Sequence, residues 1–295
     1  MTGLRTDRGG KYLVVVADDF GRTSSVTRAV AEAHDGGVLK AASIMAGGEA
    51  FSEAVQAAQT RTGLSVGLHV TLCDGRAVLP HSRIPGLTDR NGFFERNPSA
   101  VWIHYMKPAL LPQIAEEVDA QFSRLEKAGI RPTHVDGHHH IHMHPLIFEA
   151  VCRAASHRGV KWVRLPKESL SVVVRFRSAE RGALPFAEWA VFGVLGACNR
   201  RTALKYGMRS AGRLYGLSAT GGVDEEYFLS ILQGMRSPLS EFFIHPDEGT
   251  APGRAELAAL TSRRVRDMME RQGIIPVGYG ELYGEEDFEP DGEGR

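Results

Sequence analysis

The chain is poor in cysteine. Cys73, Cys152 and Cys198 stand far apart in 295 residues, and none belongs to a CxxC pair. This argues against a disulfide scaffold and fits a reducing cytosol. An excess of charge of either sign is missing as well: Lys+Arg and Asp+Glu number 35 each, so nothing points to general nucleic-acid affinity. Long apolar runs are also lacking. The longest, Ala183 to Cys198, contains Pro185 and Glu188 and is too short to span a bilayer comfortably, although it could rest on one. The start of the chain does not read as a signal peptide, because Met1 to Gly10 is polar and the apolar run after it, Tyr12 to Ala17, is only strand-sized. With hydrophobic content of 43% and charged content of 24%, an ordinary globular core is expected.

Histidine, by contrast, is concentrated. Residues 133–145 read Thr-His-Val-Asp-Gly-His-His-His-Ile-His-Met-His-Pro and hold six of the chain's 12 histidines. Imidazole titrates near neutrality and is the commonest metal ligand, so such a cluster points to metal or proton chemistry. If the segment is extended, His138, His140 and His142 share one face. A strand ending here would deliver His138, and with it His140, to the carboxyl edge of a sheet. The plain alternative is a His-rich surface loop with adventitious metal affinity.

The rest of the chain alternates between strand and helix patterns. Tyr12 to Ala17 is a continuous apolar, valine-rich run, as in a central parallel strand, and it stops at Asp18-Asp19-Phe20-Gly21. Val26 to His34 follows as a helix behind the hydroxyls of Thr23, Ser24 and Ser25. Two adjacent carboxylates at a strand end repel each other unless a cation or a shared proton offsets the cost, although an Asx turn would also use them. Val38 to Met45 reads as the second strand and Phe51 to Gln59 as the second helix. Leu64 to Leu72 is the third strand, carrying His69 near its end. A lone histidine in an apolar strand is more often a core residue than a ligand, but a third strand in a β-α series can share a rim with Asp18 and Asp19. Asp74 to Ser99 reads as a long loop and Leu110 to Ala128 as an amphipathic helix. Leu146 to His157 reads as a helix opened by Pro145, and Lys161 to Leu165 as a fifth strand. Arg164 at its end could hold a site carboxylate or a substrate oxygen, or form a surface salt bridge.

Glu168 to Gly222 is the least regular stretch. Its arginines run from Arg175 to Arg213 around Trp189, Phe192 and Leu195, which suggests either a peripheral membrane patch or an ordinary helix with a solvated rim. Asp224 to Met235 reads as a helix, Ser240 to Pro246 as a strand ending in His245-Pro246, Arg254 to Gln272 as one long helix, and Ile274 to Tyr279 as a last strand. About seven β-α units without a composition break predict one α/β domain over 11–283, closed as a complete or incomplete parallel barrel, between flexible termini 1–10 and 284–295.

The strand ends then collect Asp18, Asp19, His69, His138 and His245. Two imidazoles and one carboxylate make an open three-ligand site, with a second aspartate to take a proton from water and a further histidine to protonate a leaving group. Together they would equip the chain for metal-assisted hydrolysis of an amide or ester.

Ala17-Asp-Asp-Phe-Gly21, Val66-Gly-Leu-His69, the 133–145 segment and Phe243-Ile-His-Pro246 resemble the ordered motifs of the YdjC-like carbohydrate deacetylases, over residues 11 to 283. The run from Gly67 to Pro80, the Phe93-Phe94 loop and the Ser240 to Pro246 run are similar to the hopanoid-biosynthesis-associated branch. The resemblance implies a distorted (β/α) barrel and removal of an N-acetyl group from an N-acetylglucosamine-type sugar, in the lipid-linked case a hopanoid. It implies Asp19, His69 and His138 as metal ligands, Asp18 as general base and His245 as general acid. Asp136 would orient a ligand histidine, while His140 and His142 would be supports or substrate contacts, with His140 the alternative ligand. Mg²⁺ is the metal implied by the family, and the Asp/His/His set suits Zn²⁺ equally. Asp247 departs from the pattern, since glycine is expected after His-Pro. Hydrolysis of another amide, ester or phosphoester, and sugar binding without catalysis, are the competing expectations. A homodimer is expected from base rates alone.

Overall fold

A computed structural model describes residues 10–168, 184–217, 219 and 222–284. The expected flexible ends and the arginines between Arg175 and Arg181 lie outside these residues, apart from Gly10 and Gly284 at the margins.

The elements run in order as β1 (Lys11–Phe20), α1 (Ser24–Gly36), β2 (Ala41–Ile44), α2 (Phe51–Thr60), β3 (Ser65–Val70), α3 (Pro98–His104), α4 (Leu111–Lys127), β4 (His134–Gly137), α5 (Pro145–Ser156) and β5 (Trp162–Val163). They continue with α6 (Leu184–Lys205), β6 (Arg213–Tyr215), α7 (Glu225–Gly234), β7 (Leu239–Ile244), α8 (Ala251–Thr261), α9 (Arg263–Arg271) and β8 (Ile274–Pro276). The strands form one 8-stranded sheet ordered β5-β4-β3-β2-β1-β7-β6, with β8 joined to the start of β1, and every pairing is parallel. The sheet curls into a partial barrel flanked by helices. Its two edges are brought together by a parallel bridge between Trp162 and Arg209, just ahead of β6.

The register of these strands builds the site. Successive residues of a strand face opposite sides. Leu13, Val15 and Ala17 join the large core under the helices, whereas Tyr12, Val14 and Val16 pack with Trp162, Leu239 and Tyr279 inside the curl. Asp18 follows on that inner row. So do Ser43, His69, Asp136, Arg164 and Glu241 on their strands, because Ile44, Val70, Val135, Val163 and Phe242 take the helix-facing row. The interior therefore has an apolar floor and a polar layer at the carboxyl edge. Gly67 sits on the same inner row, and a Cβ there would lie 2.6 Å from the His134 ring.

Several expectations change. Residues 138–143 form a kinked 3₁₀ turn in which His139 and His140 take φ of 50° and 53°, so His138, His140 and His142 do not share one face. The long C-terminal helix breaks at Ser262, whose hydroxyl accepts from the Val265 amide and starts a second helix. Strand β6 falls in the stretch read as irregular, and helix α3 starts at the end of the 74–99 loop and runs into residues to which no element was assigned. The 74–99 loop is folded on itself by Arg76–Phe93 and Thr88–Phe94 bridges, and is clamped by the buried Glu117 carboxylate, which accepts from the Val78 and Leu79 amides.

Candidate active site

Asp19 ends the alternation of β1. Its φ of 62° rotates its side chain off the helix-facing row and toward His69 and His138. Every non-glycine residue with positive φ among the described residues, namely Asp19, Asp74, His139 and His140, belongs to this rim. Backbone in that region is strained and persists only where surrounding contacts impose it.

Asp19 Oδ1 lies 3.2 Å from His69 Nε2 and 2.8 Å from His138 Nδ1. It is nevertheless a buried atom without a properly directed hydrogen bond, so three lone-pair donors converge without satisfying one another. That is the arrangement a cation requires, and the donor atoms of Asp19, His69 and His138 all lie within 4.8 Å of one another. Each imidazole has a carboxylate behind it. His69 Nδ1 donates to Asp136 Oδ1 at 2.7 Å, which leaves Nε2 as the free lone pair. His138 Nε2 faces Asp74 Oδ2 at 3.8 Å. Arg22 bridges the two acids, donating to Asp19 Oδ2 at 3.0 Å and to Asp74 Oδ2 at 2.9 Å.

A second buried network fixes Asp18. Arg164, only 1% exposed, donates from Nη1 and Nη2 to both oxygens of Asp18 at 2.7 and 2.8 Å. Its Nη2 also meets Asp136 Oδ2 at 2.7 Å, and its Nε donates to Glu241 Oε1 at 2.6 Å. Ser43 donates to Asp136 at 2.6 Å, and Tyr279 donates to Glu241 at 2.7 Å. Arg164 thus holds site carboxylates and is not available to a substrate oxygen. It pairs with two members of the other fully buried group, Asp18, His69 and Asp136, and so supplies positive charge there.

The electrostatics show how strongly these groups act on one another. Burial works against ionisation of Asp19, yet the His138 and His69 rings hold it well below the usual carboxylate range. Burial likewise opposes charge on His69, but Asp136 and Asp18 push it up to about 10. Asp136 is held low, against its burial, by Arg164 and His69. Asp74 is drawn down to about 2 by His138 and Arg22. Asp18, Asp19, Asp74 and Asp136 face Arg22, Arg164 and the rings of His69 and His138, both of which the acids push upward; a divalent cation would supply positive charge in place of those imidazoles' protons.

These groups open onto a cavity of about 1190 Å³ lined on its polar side by Asp18, Asp19, Arg22, His69, His138 and His139, and on its apolar side by Trp102, Ile103, Phe192, Leu217 and Phe243. His245, one-third exposed, lines the same cavity next to Asp18, with Nε2 at 3.9 Å from Asp18 Oδ2. Asp247, where glycine was expected, caps the following turn by accepting from the Gly249 amide at 2.8 Å; Gly253, where a Cβ would clash with Asp247, supplies the needed space.

His139 joins Asp74 and His138 in a second, partly exposed set of possible ligands, whereas His140, His142 and His144 lie outside both sets. His140 packs edge-on against Phe192 and Phe243, and its burial keeps it well below the usual imidazole range. His142 Nε2 donates to the Arg164 carbonyl at 3.0 Å, as a structural support. His144 caps α5 and reaches the Trp102 carbonyl at 3.2 Å. Arg22, Asp74, Glu241 and Glu256 were missed from sequence. Only Glu241, a charge inside an apolar strand, carries a local signal.

The sequence profile of the YdjC-like protein family matches residues 12–271. A carbohydrate deacetylase of Brevibacillus brevis is 38% identical over 154 residues, covering 52% of this chain and 59% of that protein. A chitooligosaccharide deacetylase of Enterobacter sp. (strain 638) is 40% identical over 154 residues, covering 51% and 58%. The matched stretch thus spans less than two thirds of the length of these curated relatives. Among solved structures, a protein of Enterococcus faecalis V583 described as a candidate cellobiose-phosphate cleavage protein superposes with a TM-score of 0.74 at 24% identity, covering 93% of this chain and 99% of that one. A lactam utilization protein of Thermus thermophilus reaches 0.50 at 17% identity, covering 90% and 99%. At these identities the likeness is one of fold.

Proposed function

The chain belongs to the YdjC-like protein family, and on that premise we propose that it is a metal-dependent carbohydrate deacetylase that removes the N-acetyl group of an N-acetylglucosamine-type sugar. The observation that carries this reading is the unsatisfied Asp19 Oδ1 between the ring nitrogens of His69 and His138, on the polar wall of the cavity.

Asp19, His69 and His138 would hold the divalent ion, Mg²⁺ by family precedent or Zn²⁺ by donor chemistry. When bound, such an ion supplies Lewis acidity, polarising the acetyl carbonyl and making water more acidic. Asp18, oriented by Arg164, takes a proton as water oxygen adds to the carbonyl carbon. His245, beside Asp18 at the end of β7, gives a proton to the sugar nitrogen as the C–N bond breaks, so that the products are acetate and the free amine. Arg22 and Asp136 keep the ligand side chains in place. A water molecule is consumed, and Asp18 and His245 return to their starting protonation by exchange with solvent.

A lipid-linked substrate, of hopanoid type, is the finer reading. It is supported by Ile103 on the cavity wall, 75% exposed, together with the exposed Met106, just after α3, and Val191 and Val194 on α6. None of the described helices is long and apolar enough to cross a membrane, so contact with one would be peripheral.

The test is acetate release from N,N′-diacetylchitobiose and from an N-acetylglucosaminyl-hopanoid, using metal-stripped protein resupplied with Mg²⁺, Zn²⁺ or Co²⁺. Metal-dependent release supports the reading, and the preferred substrate decides between free and lipid-linked sugar. Absence of acetate with metal bound would shift the assignment to another hydrolase reaction. If Trp189→Asp with Phe192→Asp left turnover of the lipid-linked substrate unchanged, the lipid reading would fail.

A further inference from the structure

Glu256 is a buried acid that the scheme above does not use. It lies on the inward face of α8 and is 1% exposed, yet it lines the same cavity as Asp18 and His245. Its Oε2 accepts a hydrogen bond from the backbone N–H of His245. Among the described residues it forms no ion pair with lysine or arginine. Burial raises it above the usual carboxylate range, and its proximity to His245 partly reverses that. A buried charge with one partner is costly, and an apolar side chain of similar size would pack at lower cost. What this carboxylate does distinctively is fix the one backbone amide that anchors the His245 ring. The ring itself is otherwise loosely held: it rests edge-on against Phe243 with centroids 5.7 Å apart, and its nearest charged group is Asp18 at 3.9 Å. His140 and Arg164 are the other titratable or charged groups that face this corner, from the histidine turn and from the end of β5.

We propose that Glu256 is a positioning residue for leaving-group protonation: by clamping the His245 amide at the end of β7, it holds the imidazole over the cavity at the nitrogen that must be protonated. The proposal rests on the deacetylase reading, in which His245 serves as the acid.

Two substrates separate this role from a merely structural one. Cleavage of an N-acetyl sugar needs a proton on the departing amine, whereas p-nitrophenyl acetate releases a phenolate that needs none. Glu256→Ala should lower kcat on diacetylchitobiose about tenfold to a hundredfold, within the range of general-acid effects, with KM little changed. Metal-dependent hydrolysis of p-nitrophenyl acetate should fall less than about threefold, since no proton is required there. Glu256→Gln, which keeps an acceptor for the amide, should recover most of the loss and covers the case in which the alanine variant folds poorly. Because Glu256 acts through His245, Glu256→Ala combined with His245→Gln should be no slower than His245→Gln alone. Equal losses on both substrates, no loss on either, or additive effects in the double variant would overturn the proposal. Wild-type protein that releases no acetate from any N-acetyl sugar would instead remove the parent reading, and this inference with it.

Discussion

Asp18 lies on the inner row of β1, and Asp19 leaves the outer row because its φ of 62° turns it there. The two acids therefore meet different partners: Asp18 is gripped on both oxygens by Arg164, and Asp19 faces two imidazoles. Conservative amides should separate their roles. Asp19→Asn should lose bound metal and activity together, whereas Asp18→Asn should keep near-stoichiometric metal, measured on dialysed protein, and lose turnover by about a hundredfold or more, as expected for a general base. Loss of metal from Asp18→Asn would mean that the roles are exchanged. Arg164 is the next most informative residue. Replacing it with Met would leave Asp18, Asp136 and Glu241 buried without their shared cation. Breaking such a cluster costs on the order of 3–5 kcal/mol, so the urea midpoint of Arg164→Met should drop sharply. A midpoint close to wild type would contradict the network as described.

At the scale of elements, β4 and the turn after it explain what the sequence could and could not convey. The strand ends carrying Asp18, His69, His138 and His245 were legible, since each follows an apolar run and parallel strands share one carboxyl edge. The 138–143 turn was not, because extended and left-handed backbone both tolerate a histidine run, and the choice is made by packing against Phe192, Phe243 and the Arg164 carbonyl. Arg22, Asp74 and Glu256 were hidden for a related reason: loop and helix residues reach the rim only through tertiary contacts. Strand β4 also carries a pH dependence. Burial and the nearby Arg164 lower His134 from 6.5 to about 4, while Ser43 and Thr133 bond its neutral ring. The unfolded chain therefore takes up this proton first as pH falls. The contribution is complete above about pH 6.5 and is lost progressively down to about pH 4, at about 1.4 kcal/mol per pH unit. Stability measured by urea at pH 7.5 and 5.0 should fall less for His134→Gln than for wild type. An identical fall in both proteins would rule this out.

The molecule as a whole is a curled parallel sheet with an apolar floor and an acidic, histidine-bearing rim. Along that rim Arg22 and Arg164 pair with Asp18, Asp74, Asp136 and Glu241, whereas Asp19 Oδ1, between His69 and His138, keeps no directed hydrogen bond. A ligand that binds only the folded form raises stability by RT ln(1 + [L]/Kd), about 2.7 kcal/mol at a hundredfold excess over Kd. Adding Zn²⁺ or Mg²⁺ to stripped protein should therefore raise the melting temperature, and Asp19→Asn should abolish the rise. The most direct test of the central claim is acetate release from diacetylchitobiose, run in parallel with metal content, for stripped, reloaded and Asp19→Asn protein. The account predicts release only from the reloaded wild type, in proportion to the metal bound. Undiminished release from stripped protein, or from Asp19→Asn protein that holds no metal, would contradict it.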